Sequence, residues 1–366
     1  MTLSIIQHIA LPENGTPPAT PTLERAALRE PTDGVKGKEL KDMRQAEQLV
    51  EEVLCIADEL ASRQDLKPCS RVNKLFGRLV STCIKPWNNA VVERVLGDRE
   101  IEGVIGHLRE MCAEGEGELE KYWAERFLEE LEEKEEKETK SDTSVQDPAR
   151  ISAAQTLLTQ FPYHKNYIDL VNLELSNILA ALSQQQQTIS TSSTSPAEPI
   201  TTSSPLSIAF IGSGPLPFTS FLFASSLPNA KITNIDLDSH AIHLSSKLAR
   251  HLGYTTPETS HANPEKMTFL TSDATTISSL SSHNIVFLAA LVGLNVPQKI
   301  SIMKAVVSRM RPGALLVTRS AVGLRGLLYP VLEFEELEQG GVGVEMVVEV
   351  RPWNWIVNST LVLRVL

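Results

Sequence analysis

At residues 208–217 the chain reads IAFIGSGPLP, an apolar run broken by Gly212 and Gly214. This is how a parallel strand hands a nucleotide-type ligand to the N-terminus of the next helix. Glycine lets the backbone turn sharply and come close to the ligand, where a β-carbon would collide. An acid about 20 residues further on suits a ribose hydroxyl pair. Asp236 stands at that distance in KITNIDLD, with Asp238 two residues on. A third acid, Asp273 in TSDATT, follows the next apolar run. It is placed to accept from an adenine amino group, although a turn cap would use the same residue.

A dinucleotide fingerprint has a third glycine where Pro217 stands here, and Pro215 stiffens the turn further. A pyrophosphate prefers bare amides along the helix axis, so the variant argues against NAD. A nucleoside-bearing ligand without phosphates, such as S-adenosylmethionine, fits better.

A second concentration of chemistry lies upstream. Residues 111–120 read MCAEGEGELE. Glu116 and Glu120 are one helical turn apart, so they share a face and repel. The plain reading is a solvated acidic face, or a helix that stops at the glycines and restarts at Glu118. The sharper one puts a carboxylate in the ligand cleft to bind or deprotonate an amine. Gly115 and Gly117 each cost a helix about 1 kcal/mol relative to alanine, which calls for a close approach. Residues 161–167, FPYHKNY, concentrate aromatics in a chain with only 5% of them. Tyr163 and Tyr167 share a helix face, either as core anchors or as a lid of phenols over the ligand. The eight histidines give no metal-ligand pattern, since nothing completes a site around His240 and His243, so no metal is expected.

These groups need a frame. Residues 1–37 lack periodicity and read as a flexible tail. Residues 38–182 repeat apolar positions at three and four, which predicts a helical domain. Ser70 offers an N-cap and Pro162 a helix start. Residues 132–150 read as an exposed insert or a helix extension. Residues 183–204, rich in Gln, Ser and Thr, predict a disordered linker. From residue 205 strands are expected at 206–211, 231–236, 267–270, 284–291 and 314–319, with helices between. Two more, 342–350 and 355–364, have no helix between them and must form a hairpin. The fold class is therefore α/β: a Rossmann-type, mostly parallel sheet with an antiparallel C-terminal hairpin, preceded by an all-α domain. Ligands of such sheets bind at the carboxyl ends of the strands. That gathers the glycine loop, Asp236 with Asp238, and Asp273. Leu288 and Ala289, ending the fourth strand, border the same crevice, although a core would use them as well.

Bulk properties narrow the partners. The 366 residues suffice for two or three domains, and 42% are hydrophobic. A net charge of −11 disfavours nucleic acid and anionic membrane surfaces. The longest apolar run, 285–294, is far short of the ~20 residues that span a bilayer. Four cysteines without a CxxC pair, and no signal peptide, suggest a reducing, cytoplasmic setting. Small molecules are the expected partners, and nothing in the sequence fixes an oligomeric state.

Together, FIGSGPLPFTS, NIDLD, VFLAALVG, RPGALLVTRSA, LYPV, FPYHKNY and CAEGEGELE resemble the nicotianamine synthase family in order and spacing. The resemblance covers roughly residues 70–182 and 205–366. It implies an all-helical domain covering a Rossmann-type domain, and transfer of 3-amino-3-carboxypropyl groups from S-adenosylmethionine. Methylthioadenosine would be released, an azetidine ring closed, and a transition-metal chelator made. It further implies that Gly212, Ser213, Gly214 and Pro215 hold the donor, Asp236 its ribose and Asp273 its adenine. Glu116 and Glu120 match the family's glutamates, and Tyr163 and Tyr167 its aromatic motif. Arg319, before the SA pair, would meet a substrate carboxylate. Glu116, raised by burial, is the expected base. A methyltransferase, a synthase of an opine-type metallophore and a non-catalytic binding module remain alternatives.

Overall fold

The computed structural model describes residues 33–138, 147–191, 205–255, 266–352 and 354–366. Helices come first: α1 (Asp33–Ala61), α2 (Ser70–Ile84), α3 (Asn89–Leu96), α4 (Arg99–Glu138), α5 (Pro148–Leu158) and α6 (His164–Thr191). Strands and helices then alternate, except that among the described residues no helix stands between β3 and β4, where one was expected: β1 (Ser207–Ile211), α7 (Phe218–Ser226), β2 (Lys231–Asp236), α8 (Ser239–His251), β3 (Met267–Thr271), β4 (Ile285–Leu288) and α9 (Val296–Val307). The chain closes with β5 (Leu315–Ser320), a 3-10 helix (Gly323–Leu327), α10 (Phe334–Gln339), β6 (Val344–Val350) and β7 (Ser359–Val365).

The strands form one sheet in the order β3-β2-β1-β4-β5-β7-β6. β1 to β5 pair in parallel, whereas β7 runs antiparallel to β5 and β6. The expected hairpin is present: β6 and β7 follow one another in the chain and pair side by side, which a short connection allows only in antiparallel. Strand order reverses between β1 and β4, which opens a crevice at their carboxyl ends. Ile211 and Leu288 pair there, so the glycine loop and Ala289 leave the sheet side by side.

The apolar residues divide into three cores. On one sheet face Ile208, Phe210, Phe287 and Val317 pack with Phe127, Ile178 and Leu182 of α4 and α6. On the other, Ile211, Leu288 and Leu316 meet Met303 and Val306 of α9. The third joins Val53, Leu79, Val95 and Leu108 of α1–α4, with Leu324 and Leu327 of the 3-10 helix added. Full burial of a leucine contributes about 1.5–3 kcal/mol, so these cores fix where α4 runs. Its first half belongs to the helical core and its second half to the sheet. Glu116 and Glu120 lie at the changeover.

Some boundaries differ from expectation. The glycines at 115 and 117 do not stop the helix, because α4 runs through them. At Gly115 the reason is packing, since a β-carbon would overlap the Phe76 ring of α2. The charged residues 132–138 extend α4. α1 begins at Asp33, and residues 1–32 of the expected tail lie outside the described residues. α6 runs to Thr191, so the segment expected as a disordered linker starts as helix; residues 192–204 lie outside the described residues. Ser70 is the first helical residue rather than the cap, a position taken by Cys69. Pro162 sits in the turn before α6. β4 ends at Leu288, because the next two carbonyls, of Ala289 and Ala290, bond to Lys299. The four cysteines are free. Among the described residues no helix is long and apolar enough to cross a membrane.

Candidate active site

The glycine loop occupies the crevice. Gly212 and Gly214 have φ of 77° and 71°, a left-handed conformation that glycine adopts without strain. The amides of Gly212 and Ser213 both donate to Ile235 O, which folds the loop over the end of β2. A β-carbon on Gly212 would meet the Val292 side chain and stand 3.2 Å from Ala289 Cβ. The Ser213 hydroxyl is buried without a hydrogen-bond partner. A cradle closed to β-carbons and an unanswered buried hydroxyl fit a ligand approached by bare backbone.

Asp236 ends β2 and is tied to this loop. Its Oδ2 accepts from Gly214 N–H at 2.8 Å and its Oδ1 from Asp238 N–H at 2.9 Å. Asp238 itself caps α8, accepting from His240 N–H at 2.8 Å. Asp273 is exposed, and its Oδ1 accepts from both the amide and the hydroxyl of Thr275. Those bonds hold its carboxyl below the usual range. The turn-cap reading of Asp273 is thus satisfied within the chain. Leu288 is 1% exposed and its side chain lies in the core, so it offers the crevice only backbone.

α4 and α6 bring the second half of the site. Each carboxylate of the pair accepts from a phenol. Tyr167 OH donates to Glu120 Oε1 at 2.9 Å, and Tyr329 OH donates to Glu116 Oε2 at 2.6 Å. Both glutamates are only partly exposed and are enclosed by protein on most sides. Burial pushes Glu120 up to about 8, with the charges of Glu116 and Asp236 adding to it; the Tyr167 bond and Arg319 oppose. Burial raises Glu116 as well, against the Tyr329 bond and the Arg319 charge. The expectation of a solvated acidic face is therefore overturned, because both phenols come from elsewhere in the chain. Tyr163 stands at the mouth, 37% exposed, and its phenol is raised by burial and then by Glu116. Phe161, Tyr167 and Phe218 cluster beside it, the Phe161 and Phe218 rings stacked with centroids 5.0 Å apart.

Arg319 leaves β5 toward the same place, yet its fork is occupied. Nε and Nη2 donate to the two carboxylate oxygens of Glu174 at 2.8 and 3.1 Å, and Nη2 also to Thr219 Oγ1 at 2.9 Å. Glu174 is fully buried on α6. Burial alone would lower the guanidinium, but the Glu174 charge and hydrogen bonds outweigh it and the net shift is upward. Arg319 thus acts on Glu116 and Glu120 as a fixed positive charge, and a substrate carboxylate has only the Nη1 edge to bind.

Sequence reasoning missed Tyr329, Glu174, Thr219 and Lys299. Tyr329 stands in the LYPV motif, after the 3-10 helix that follows β5. Glu174 had a signal too: it falls on the buried stripe Val171, Ile178, Ala181 of α6, where an unpaired acid would be costly. Among the described residues no group of three or more His, Cys, Asp or Glu is placed to hold a metal ion.

Comparison with known proteins gives the family and the fold. The family profile described as nicotianamine synthase protein matches residues 42–366. Nicotianamine synthase 1 of Arabidopsis thaliana is 32% identical over 318 residues, 86% of this chain and 83% of that protein. Nicotianamine synthase 3 of Oryza sativa subsp. japonica is 33% identical over 320 residues, 87% and 78% of the two chains. The fold is shared with crystal structures of MtNAS. A mutant of MtNAS in complex with S-adenosylmethionine superposes with a TM-score of 0.61 at 17% identity, covering 86% of this chain and 97% of that one. MtNAS in complex with MTA and tNA gives 0.61 at 17%, covering 89% and 97%. The chain belongs to the nicotianamine synthase family.

Proposed function

We propose that the protein is a nicotianamine synthase. It transfers 3-amino-3-carboxypropyl groups from S-adenosylmethionine in succession, releases methylthioadenosine and closes an azetidine ring to make a metal-chelating product. Family membership supports the reaction. The observation that carries it for this chain is the meeting of two phenol-capped carboxylates from α4 with the glycine loop and Asp236 at the switch point of the sheet.

The donor supplies an electrophilic sulfonium with three carbons open to attack, and which one reacts depends on which faces the nucleophile in line with the leaving sulfur. The protein sets that choice. Gly212, Ser213, Gly214, Pro215, Ala289 and Asp236 hold the nucleoside end, which departs with the leaving group, and Asp238 and Asp273 brace the strand ends beside it. The aminocarboxypropyl arm then points toward α4 and α6. An amine attacks only when neutral, so Glu116 takes its proton as the nitrogen–carbon bond forms and the carbon–sulfur pair returns to sulfur. Glu120, pushed up to about 8, keeps a proton at neutral pH and limits repulsion within the pair. Tyr329 and Tyr167 orient the two carboxylates, and Tyr163 closes the mouth. Arg319, anchored by Glu174, offers its remaining edge to a carboxylate of the acceptor. The sulfonium already carries its own leaving group, so this chemistry asks for no metal. Four free cysteines suit a cytoplasmic setting.

Mass spectrometry of the product made from S-adenosylmethionine alone tests the proposal. Nicotianamine is expected without any added amino acid. A product that forms only when histidine or another amino acid is supplied would replace it with an opine-type synthase.

A further inference from the structure

Lys299 is fully buried, one of the largest side chains with no exposed surface. It lies on α9 above Met303 and Val306, in an apolar layer. Among the described residues no carboxylate pairs with it. Its Nζ donates instead to two backbone carbonyls, Ala290 O at 2.8 Å and Ala289 O at 3.3 Å. Burial, with the Arg319 charge adding to it, pulls the ammonium down to about 7. Placing an ammonium in an apolar layer without a counter-ion is unfavourable, whereas methionine would fill the same space without that cost. The residue therefore does something other than stabilise the core.

The two carbonyls belong to the loop that follows β4, and this loop is the floor under the glycine turn. Ala289 N–H donates to Ile211 O at 3.0 Å, and Val292 N–H turns back to Ala289 O at 3.2 Å. The side chains of Ala289 and Val292 then close on the point where Gly212 would carry a β-carbon. Gly293, with φ of 84°, lets the backbone pass so close to α9 that a β-carbon there would stand 2.8 Å from Lys299 Cα. The loop is thus held on one side by Lys299, through ammonium and backbone, and pressed on the other against Gly212.

We infer that Lys299 is a positioning residue: it sets the height of residues 289–292 beneath Gly212 and thereby the affinity for the nucleoside end of S-adenosylmethionine. The inference rests on the donor assigned under the proposed function. Lys299 acts through Ala289 and Val292 and does not touch the ligand.

The test uses the full chain with Lys299→Met, which keeps the length and apolar stem but removes the ammonium. S-adenosylmethionine affinity is measured by calorimetry beside wild type, with steady-state kinetics and thermal melts. The dissociation constant and KM for S-adenosylmethionine should rise about tenfold, the equivalent of about 1.4 kcal/mol, while kcat falls far less. The melting temperature should hold or rise, because an uncompensated buried charge has gone. Val292→Ala, which loosens the same contact from the other side, should weaken binding in the same direction. Lys299→Met binding S-adenosylmethionine like wild type would overturn the inference. So would a loss of kcat at unchanged KM, or failure to fold, since the ammonium would then be serving the chemistry or the core. Wild type that does not bind S-adenosylmethionine would overturn the donor assignment itself.

Discussion

The carboxylate of Glu120 lies 2.7 Å from where a β-carbon on Gly214 would stand. One residue belongs to a helix of the N-terminal half and the other to the turn after β1, so α4 reaches the glycine loop directly. Tyr167 holds the carboxylate in that place. The glycine loop and the acidic pair are therefore two walls of one site, although roughly a hundred residues separate them in sequence.

Gly214→Ala should strike both walls. With φ of 71° the new methyl group is strained by about 1–2 kcal/mol, and it meets a carboxylate that Tyr167 keeps from swinging away. The amide of Gly214 also holds Asp236. Calorimetry should show S-adenosylmethionine binding at least about tenfold weaker, an expected loss of about 1.4 kcal/mol or more.

Glu116→Gln removes the proposed base and keeps a partner for Tyr329. S-adenosylmethionine should bind nearly as in wild type, while turnover falls by about a hundredfold or more. Retained turnover would move the base role away from Glu116.

Glu120 makes stability depend on pH. Its carboxyl is raised in the folded protein to about 8, from an ordinary value of 4.5. The protonated form is therefore favoured by folding. That contribution is complete below about pH 4.5 and is lost as pH rises through about 8. The melting temperature of wild type should fall across this window, and Glu120→Gln should flatten the fall. Equal slopes for the two proteins would show that the carboxyl is not raised.

Glu174→Gln leaves the Arg319 guanidinium buried and uncompensated. Chemical denaturation should register a loss of about 3–5 kcal/mol. Replacing the pair together, Glu174→Leu with Arg319→Met, should restore most of the stability without restoring activity. Recovery of activity in that double variant would show the pair to be structural only.

Much of this was legible in the chain because its signals are local. The strands, the hairpin and the glycine turn each follow from runs of a few residues, and Asp236 from its distance to Gly214. The pairing of Glu116 and Glu120 was legible as spacing, but its burial was not. That depends on Tyr329 and Tyr167, which arrive from distant segments. Arg319 was recognised as a site residue, but its anchoring was not, because that depends on Glu174 from another helix. Lys299 gave no signal beyond a lysine in an amphipathic helix, where an exposed position is the ordinary expectation. Asp238 and Asp273 also make the local turn bonds that their positions invite.

The direction in which the donor arm faces decides the whole account, and the nucleoside left behind reports it. Purified protein is incubated with S-adenosylmethionine and the by-product separated by liquid chromatography. Methylthioadenosine, accumulating with the product, is the predicted result. S-adenosylhomocysteine in its place would mean that the methyl carbon faces the acceptor, and would contradict the assignment of aminocarboxypropyl transfer.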